Sequence, residues 1–147
     1  MDIKGAYLNG TLKETVYIRQ PEGYKDGTER ACLLVKTLYG LKQASCEWNR
    51  ELDNKLWKHN FKRLCSNPCV YVHGEKGEYE IITVWVNDLL LFTSSTQSCE
   101  RIKKDLCSEW EITDLGEPAK IIGIEIMKSK STITILQNQY MLNILKR

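Results

Sequence analysis

Tyr79-Glu80-Ile81-Ile82-Thr83-Val84-Trp85-Val86-Asn87-Asp88-Leu89-Leu90-Leu91-Phe92-Thr93 is the stretch on which the fold turns. Tyr79–Trp85 is β-prone, Asn87–Asp88 interrupts it, and Leu89–Thr93 resumes. Two apolar runs parted by a polar pair predict a tight hairpin with an exposed acidic tip. The same interruption argues against a membrane span over Ile81–Phe92.

Working outward, Cys69–His73 predicts a further strand, with a turn at Gly74–Gly77. Upstream, Trp48, Leu52 and Leu56 recur at i, i+4 and i+8 among Glu47, Arg50, Glu51, Asp53 and Lys55, which predicts a helix with one apolar stripe. Val16–Gln20 and ACLLVK (31–36) predict a strand pair around the turn-prone Pro21–Gly27. Downstream, Ser94–Ser98 offers helix caps, and Cys99, Ile102, Leu106 and Trp110 mark one face of a second helix. Gly116 and Pro118 close it. Ile121–Met127 and Thr132–Leu136 predict a terminal hairpin around Lys128–Ser131, followed by a frayed helix over Tyr140–Lys146. The fold class is α+β: an antiparallel sheet backed by two helices, with a C-terminal hairpin.

The chain of 147 residues fits one domain, and an apolar fraction of 42% with 27% charged residues is that of an ordinary soluble protein. A net charge of +2 disfavours a strongly basic nucleic-acid arm but permits a local basic groove. The six cysteines contain no C-x-x-C pair, and His59 and His73 stand at no metal-ligand spacing, so reduced, mostly buried thiols are expected. No targeting run is seen, which leaves the cytoplasm as the default location.

Asp2, Asn87 and Asp88 fall where strands are expected to end. Two divalent cations held between carboxylates would suit phosphoryl or nucleotidyl transfer, and Mg²⁺ needs few protein ligands because it keeps waters and substrate phosphates. The plainer reading stays open: Asn-Asp is ordinary turn chemistry, and Asp2 can simply be solvated. An asparagine amide brings one oxygen and no charge to a cation.

The residues also carry a resemblance. DIKGAYLNG (2–10), VYIRQPEGY (16–24), LYGLKQA (38–44), NPCVY (67–71), WVND (85–88), DLGE (114–117) and GIEI (123–126) resemble, in order, the conserved segments of copia-type reverse transcriptases. The resemblance implies a reverse transcriptase palm fragment within residues 1–147, with the start of the primer-grip region. The fingers, most of the connection and RNase H would be absent, and the strand that should carry Asp2 would be missing. It implies primer extension on an RNA or DNA template with deoxynucleoside triphosphates, Mg²⁺ or Mn²⁺ as cofactor, and the remainder of a Pol polyprotein as partner. No membrane is implied.

By the same resemblance, Asp2 and Asp88 would be metal carboxylates, with Asn87 at the first aspartate of the family's YVDD pair. Tyr7 would gate the sugar. Gly40, Lys42 and Gln43 would approach nucleotide and template. Ile122, Gly123, Ile124 and Glu125 would lie on a primer-grip-like strand running to Ile126. The chain departs from the family at Asn87, at Trp85, where tyrosine is usual, at Asn67 and at Ser45-Cys46-Glu47-Trp48, where Pro-Arg-x-Trp is expected. The lost arginine would have offered five donors to phosphate. These departures, together with the absent fingers, predict a polymerase segment without activity. The alternative is a non-catalytic nucleic-acid- or partner-binding remnant. An RNA-recognition-like domain is a third option, disfavoured by the lack of an exposed aromatic pair on adjacent strands.

Overall fold

The computed structural model describes residues 1–74 and 78–146. Two expected strands and their two-residue connection set its centre. β6 (Glu80–Trp85) and β7 (Asp88–Phe92) pair antiparallel from Ile81↔Phe92 to Trp85↔Asp88. The connection is therefore Val86–Asn87, and Asp88 opens the return strand rather than sharing the tip. Val86 holds φ of 57°, so the first central residue alone is left-handed, the pattern of a type II′ turn.

Four short strands complete this sheet. β4 (Lys62–Arg63) and β5 (Val70–His73) extend it on one side, and β1 (Asp2–Ile3) and β8 (Ile112–Thr113) on the other, in the order β4-β5-β6-β7-β1-β8. The expectation that Asp2 lacks its strand is corrected. Two residues suffice to join β7 to β8, because Met1 exchanges backbone bonds with Leu89 and Ile3 N–H reaches Asn87. The turn expected at Gly74–Gly77 falls partly on residues 75–77, outside the described residues.

One sheet face is covered. α1 (Ala44–Lys58) and α2 (Thr96–Glu109) bring both predicted stripes to it, and Trp48, Leu52, Leu56, Ile102, Leu106 and Trp110 form one cluster with Ile3, Tyr71, Ile82, Val84 and Leu89. Alternation along β6 supplies its share: Glu80, Ile82 and Val84 point in, while Ile81, Thr83 and Trp85 point out. Ser95 caps α2 by accepting from Ser98 N–H at 3.1 Å. Trp110 lies just past the end of α2 rather than within it, edge-on to Trp48 at 5.7 Å between centroids.

The remaining elements stand apart from this core. β2 (Thr11–Arg19) and β3 (Ala31–Lys36) form a two-stranded arm, as expected, though β2 begins five residues earlier than Val16, with a register irregularity between Thr11 and Val16. β9 (Lys120–Ile121), β10 (Ile124–Lys128) and β11 (Ile133–Leu136) make a three-stranded sheet, and α3 (Asn138–Leu145) follows with no buried residue. The hairpin of β10 and β11 matches expectation, but the run from Ile121 is not one strand. Ile122 and Gly123 both have positive φ, 50° and 79°, and turn the chain back between β9 and β10. All six cysteines are free. Against the expectation of burial, Cys46, Cys65, Cys69 and Cys107 are exposed and Cys32 and Cys99 half-buried, because they fall on outer helix faces, loops and the arm. Among the described residues no helix is long and apolar enough to cross a membrane.

Candidate functional site

Sheet register brings the three sequence-predicted polar residues together. Asp2 lies opposite Asp88 across β1 and β7, and directly opposed residues share a face. Ile3 and Leu89 turn into the core, so Asp2 and Asp88 face the uncovered side. Asn87 occupies the second turn position. Its amide donates to Asp2 Oδ1, and its carbonyl accepts Ile3 N–H at 2.8 Å. From the helix side, Trp48 Nε1 donates to Val86 O at 2.9 Å. The turn is held from both faces, which is how a β-branched residue persists at a positive φ.

This donor set does not fit a pair of divalent cations. A carboxylate only accepts, so the Asn87 group facing Asp2 is the N–H side of the amide, which repels a cation. Among the described residues no group of three or more His, Cys, Asp or Glu side chains is placed to hold a metal.

Tyr7 lies on the 3₁₀ turn Ala6–Asn9 that follows β1, half-buried against the core. Its ring packs on Tyr39 at 4.9 Å between centroids, and its carbonyl accepts from Thr37 Oγ1. Asn9 Nδ2 donates to Gly5 O at 3.2 Å and steadies the turn. Gly10 has ordinary φ but no room: a Cβ there would stand 2.9 Å from Thr37 Oγ1 and 3.0 Å from Trp48 N. Gly40 is the opposite case, open in space but at φ of 93°. Lys42 is exposed, and Gln43, at the N-terminus of α1, donates to Glu14 at 3.2 Å.

The expected primer-grip-like strand divides. Ile122 and Gly123 form a turn, while Ile124 and Glu125 begin β10 and pair with Ile121 and Lys120. Sequence reading missed Thr37 and Tyr39, which fix Tyr7. Their signal was adjacency, since Thr37 immediately precedes LYGLKQA and Tyr39 is its second residue. Trp85 on β6 and Phe92 on β7, 53% and 48% exposed, share the uncovered face but stand at opposite ends of the hairpin, Trp85 opposite Asp88 and Phe92 opposite Ile81.

Away from the site, Glu80 is buried at the far end of β6. It receives Arg101 Nη2 at 2.5 Å and His73 Nδ1 at 2.9 Å. Burial works to raise its pKa, but hydrogen bonds from Arg101, His73 and Ser98 outweigh it and hold the carboxyl below its ordinary value.

The reverse transcriptase (RNA-dependent DNA polymerase) family profile matches residues 1–147. The chain is 30% identical over its whole length to the retrovirus-related Pol polyprotein from transposon TNT 1-94 of Nicotiana tabacum, covering 11% of that protein. It is 32% identical over 95% of its length to a transposon Ty5-1 protein of Saccharomyces cerevisiae, covering 46% of it. It is 31% identical over its whole length to the Pol polyprotein from transposon RE1 of Arabidopsis thaliana, covering 10% of it. The chain thus spans from about a tenth to about half of the length of these relatives. No solved structure matches it.

Proposed function

Since the chain belongs to the copia-type reverse transcriptase family, we propose that it is palm sequence of an RNA-directed DNA polymerase that has lost nucleotidyl transfer. The observation that carries this is the meeting of Asp2, Asn87 and Asp88 on the open sheet face, with an amide where the family's pair has a carboxylate. In this reading Tyr7 contacts the incoming sugar, and Gly40, Lys42 and Gln43 lie along nucleotide and template. The turn at Ile122–Gly123 with Ile124 and Glu125 steadies the primer end by backbone shape. The cations that the family uses would supply charge neutralisation at the triphosphate. Asp2 and Asn87 are instead committed to each other.

A second reading, a nucleic-acid-binding remnant, is favoured by Trp85 and Phe92 on the uncovered face, since exposed rings are platforms for base stacking. One pair of assays tests both. Primer extension with Mn²⁺ and a homopolymer template is expected to show no incorporation, and incorporation above background would refute the loss of activity. Binding of a primer–template hybrid is expected to weaken steeply with salt and on Trp85→Ala. Absence of binding even at low salt would sink the remnant reading.

A further inference from the structure

We propose that Asn87 has turned this site into a cation-free clasp, a hydrogen-bonded lock that fastens the two-residue strand β1 to the β6–β7 hairpin. A strand of two residues has little ladder with which to hold its place. Here a single residue grips it twice. The Asn87 carbonyl takes Ile3 N–H at 2.8 Å, and the Asn87 amide donates to the Asp2 carboxylate one residue earlier. The hairpin end of the clasp is immobilised independently, by Trp48 Nε1 on Val86 O at 2.9 Å.

The chemistry is that of substitution. With aspartate at position 87, three carboxylates would crowd the same corner and repel one another unless a cation lay between them. The amide removes one of those charges and supplies a donor to a second carboxylate, a charge-assisted bond of the stronger kind. The role of the cation in holding the corner together passes to a side chain. The inference rests on the proposed function only in treating position 87 as a place where a carboxylate would call for a cation.

Thermal unfolding of the full 147-residue chain, with and without millimolar Mn²⁺, tests it in four forms. The native chain should melt at the same temperature under both conditions. Asn87→Ala should melt about 5 °C lower and be equally indifferent to Mn²⁺. Asn87→Asp should melt lower without metal and recover with it, since a ligand bound only by the folded state stabilises it. The exchange variant, Asp2→Asn with Asn87→Asp, restores a donor facing a carboxylate and should melt within about 2 °C of the native chain without metal. A native chain stabilised by Mn²⁺, an Asn87→Ala chain as stable as native, or an exchange variant no better than Asn87→Asp would each overturn the clasp. An Asn87→Asp chain that ignores Mn²⁺ would instead remove position 87 from the cation site, a failure of the polymerase reading. The clasp would then be judged on the Asn87→Ala and exchange comparisons.

Discussion

Two tight hairpins in this molecule break the same local rule, and only one of them is held in place. The turn at Val86–Asn87 and the turn at Ile122–Gly123 each put a β-branched residue in the left-handed region, at φ of 57° and 50°. Such a residue is an outlier there, at a cost of order 1–3 kcal/mol. Val86 is half-buried and packed on the core, its carbonyl is bonded by Trp48, and its neighbour Asn87 is bonded to Asp2 and Ile3. Ile122 is 54% exposed on a three-stranded sheet that contributes nothing to the buried cluster. Strain at the first turn is over-determined by its surroundings, and the site lies there. At the second turn only the ladder opposes it.

The sharpest contrast comes from the core. Trp48→Ala removes a nearly fully buried ring and the bond to Val86 at once, and is expected to cost about 3–5 kcal/mol in chemical denaturation. A loss under about 1 kcal/mol would mean that the first hairpin is not held from the helix side.

Next is the anchor at the far end of β6. Arg101→Ala leaves the Glu80 carboxylate buried without its cationic partner, held by His73 and Ser98, and an expected loss of about 1–3 kcal/mol follows. Glu80 has a folded pKa below its ordinary value of 4.5, so its contribution is fully present above that value and is lost as pH falls through the lower folded one. The stability gap between the native chain and Glu80→Gln should therefore be constant at neutral pH and narrow on acidification. A gap that widened below the ordinary carboxylate range would contradict the assignment.

The second hairpin gives the smaller effects. Ile122→Asn creates Asn-Gly, the pair best suited to two positive φ values, and should stabilise β9 and β10 by about 1 kcal/mol. Slower amide hydrogen exchange in those strands would register it, and unchanged exchange would show that Ile122 carries no strain. Leu142→Ala in α3 should change stability by no more than about 0.5 kcal/mol, because its side chain is half exposed and α3 buries no residue. A larger loss would reveal packing on α3.

The contrast also separates what was legible in the sequence from what was not. The stripes of Trp48, Leu52 and Leu56 and of Ile102 and Leu106 were readable because burial acts on a helical period, and β6 and β7 because a polar pair divides them. The turn at Ile122–Gly123 was hidden inside an unbroken β-prone run. Local propensity favours strand there, and the reversal requires a backbone angle that isoleucine resists. Gly123 was its one mark. β1 and β8 carry no period at two residues each and exist only through pairing with each other and with β7. Asp2 and Asn87, 85 residues apart, were grouped only by their places at expected strand ends, and the family resemblance is what set that grouping above ordinary turn chemistry.

The central claim is that Asn87 holds Asp2 in place of a cation, and that transfer is lost for that reason. Its most direct test joins the upstream polypeptide of the tobacco relative to this chain and measures single-turnover primer extension, once with Asn87 and once with Asn87→Asp. The account predicts that aspartate incorporates nucleotide at least about a hundredfold faster, the scale on which loss of one preorganised electrostatic contact is felt. Equal rates in the two forms would contradict it.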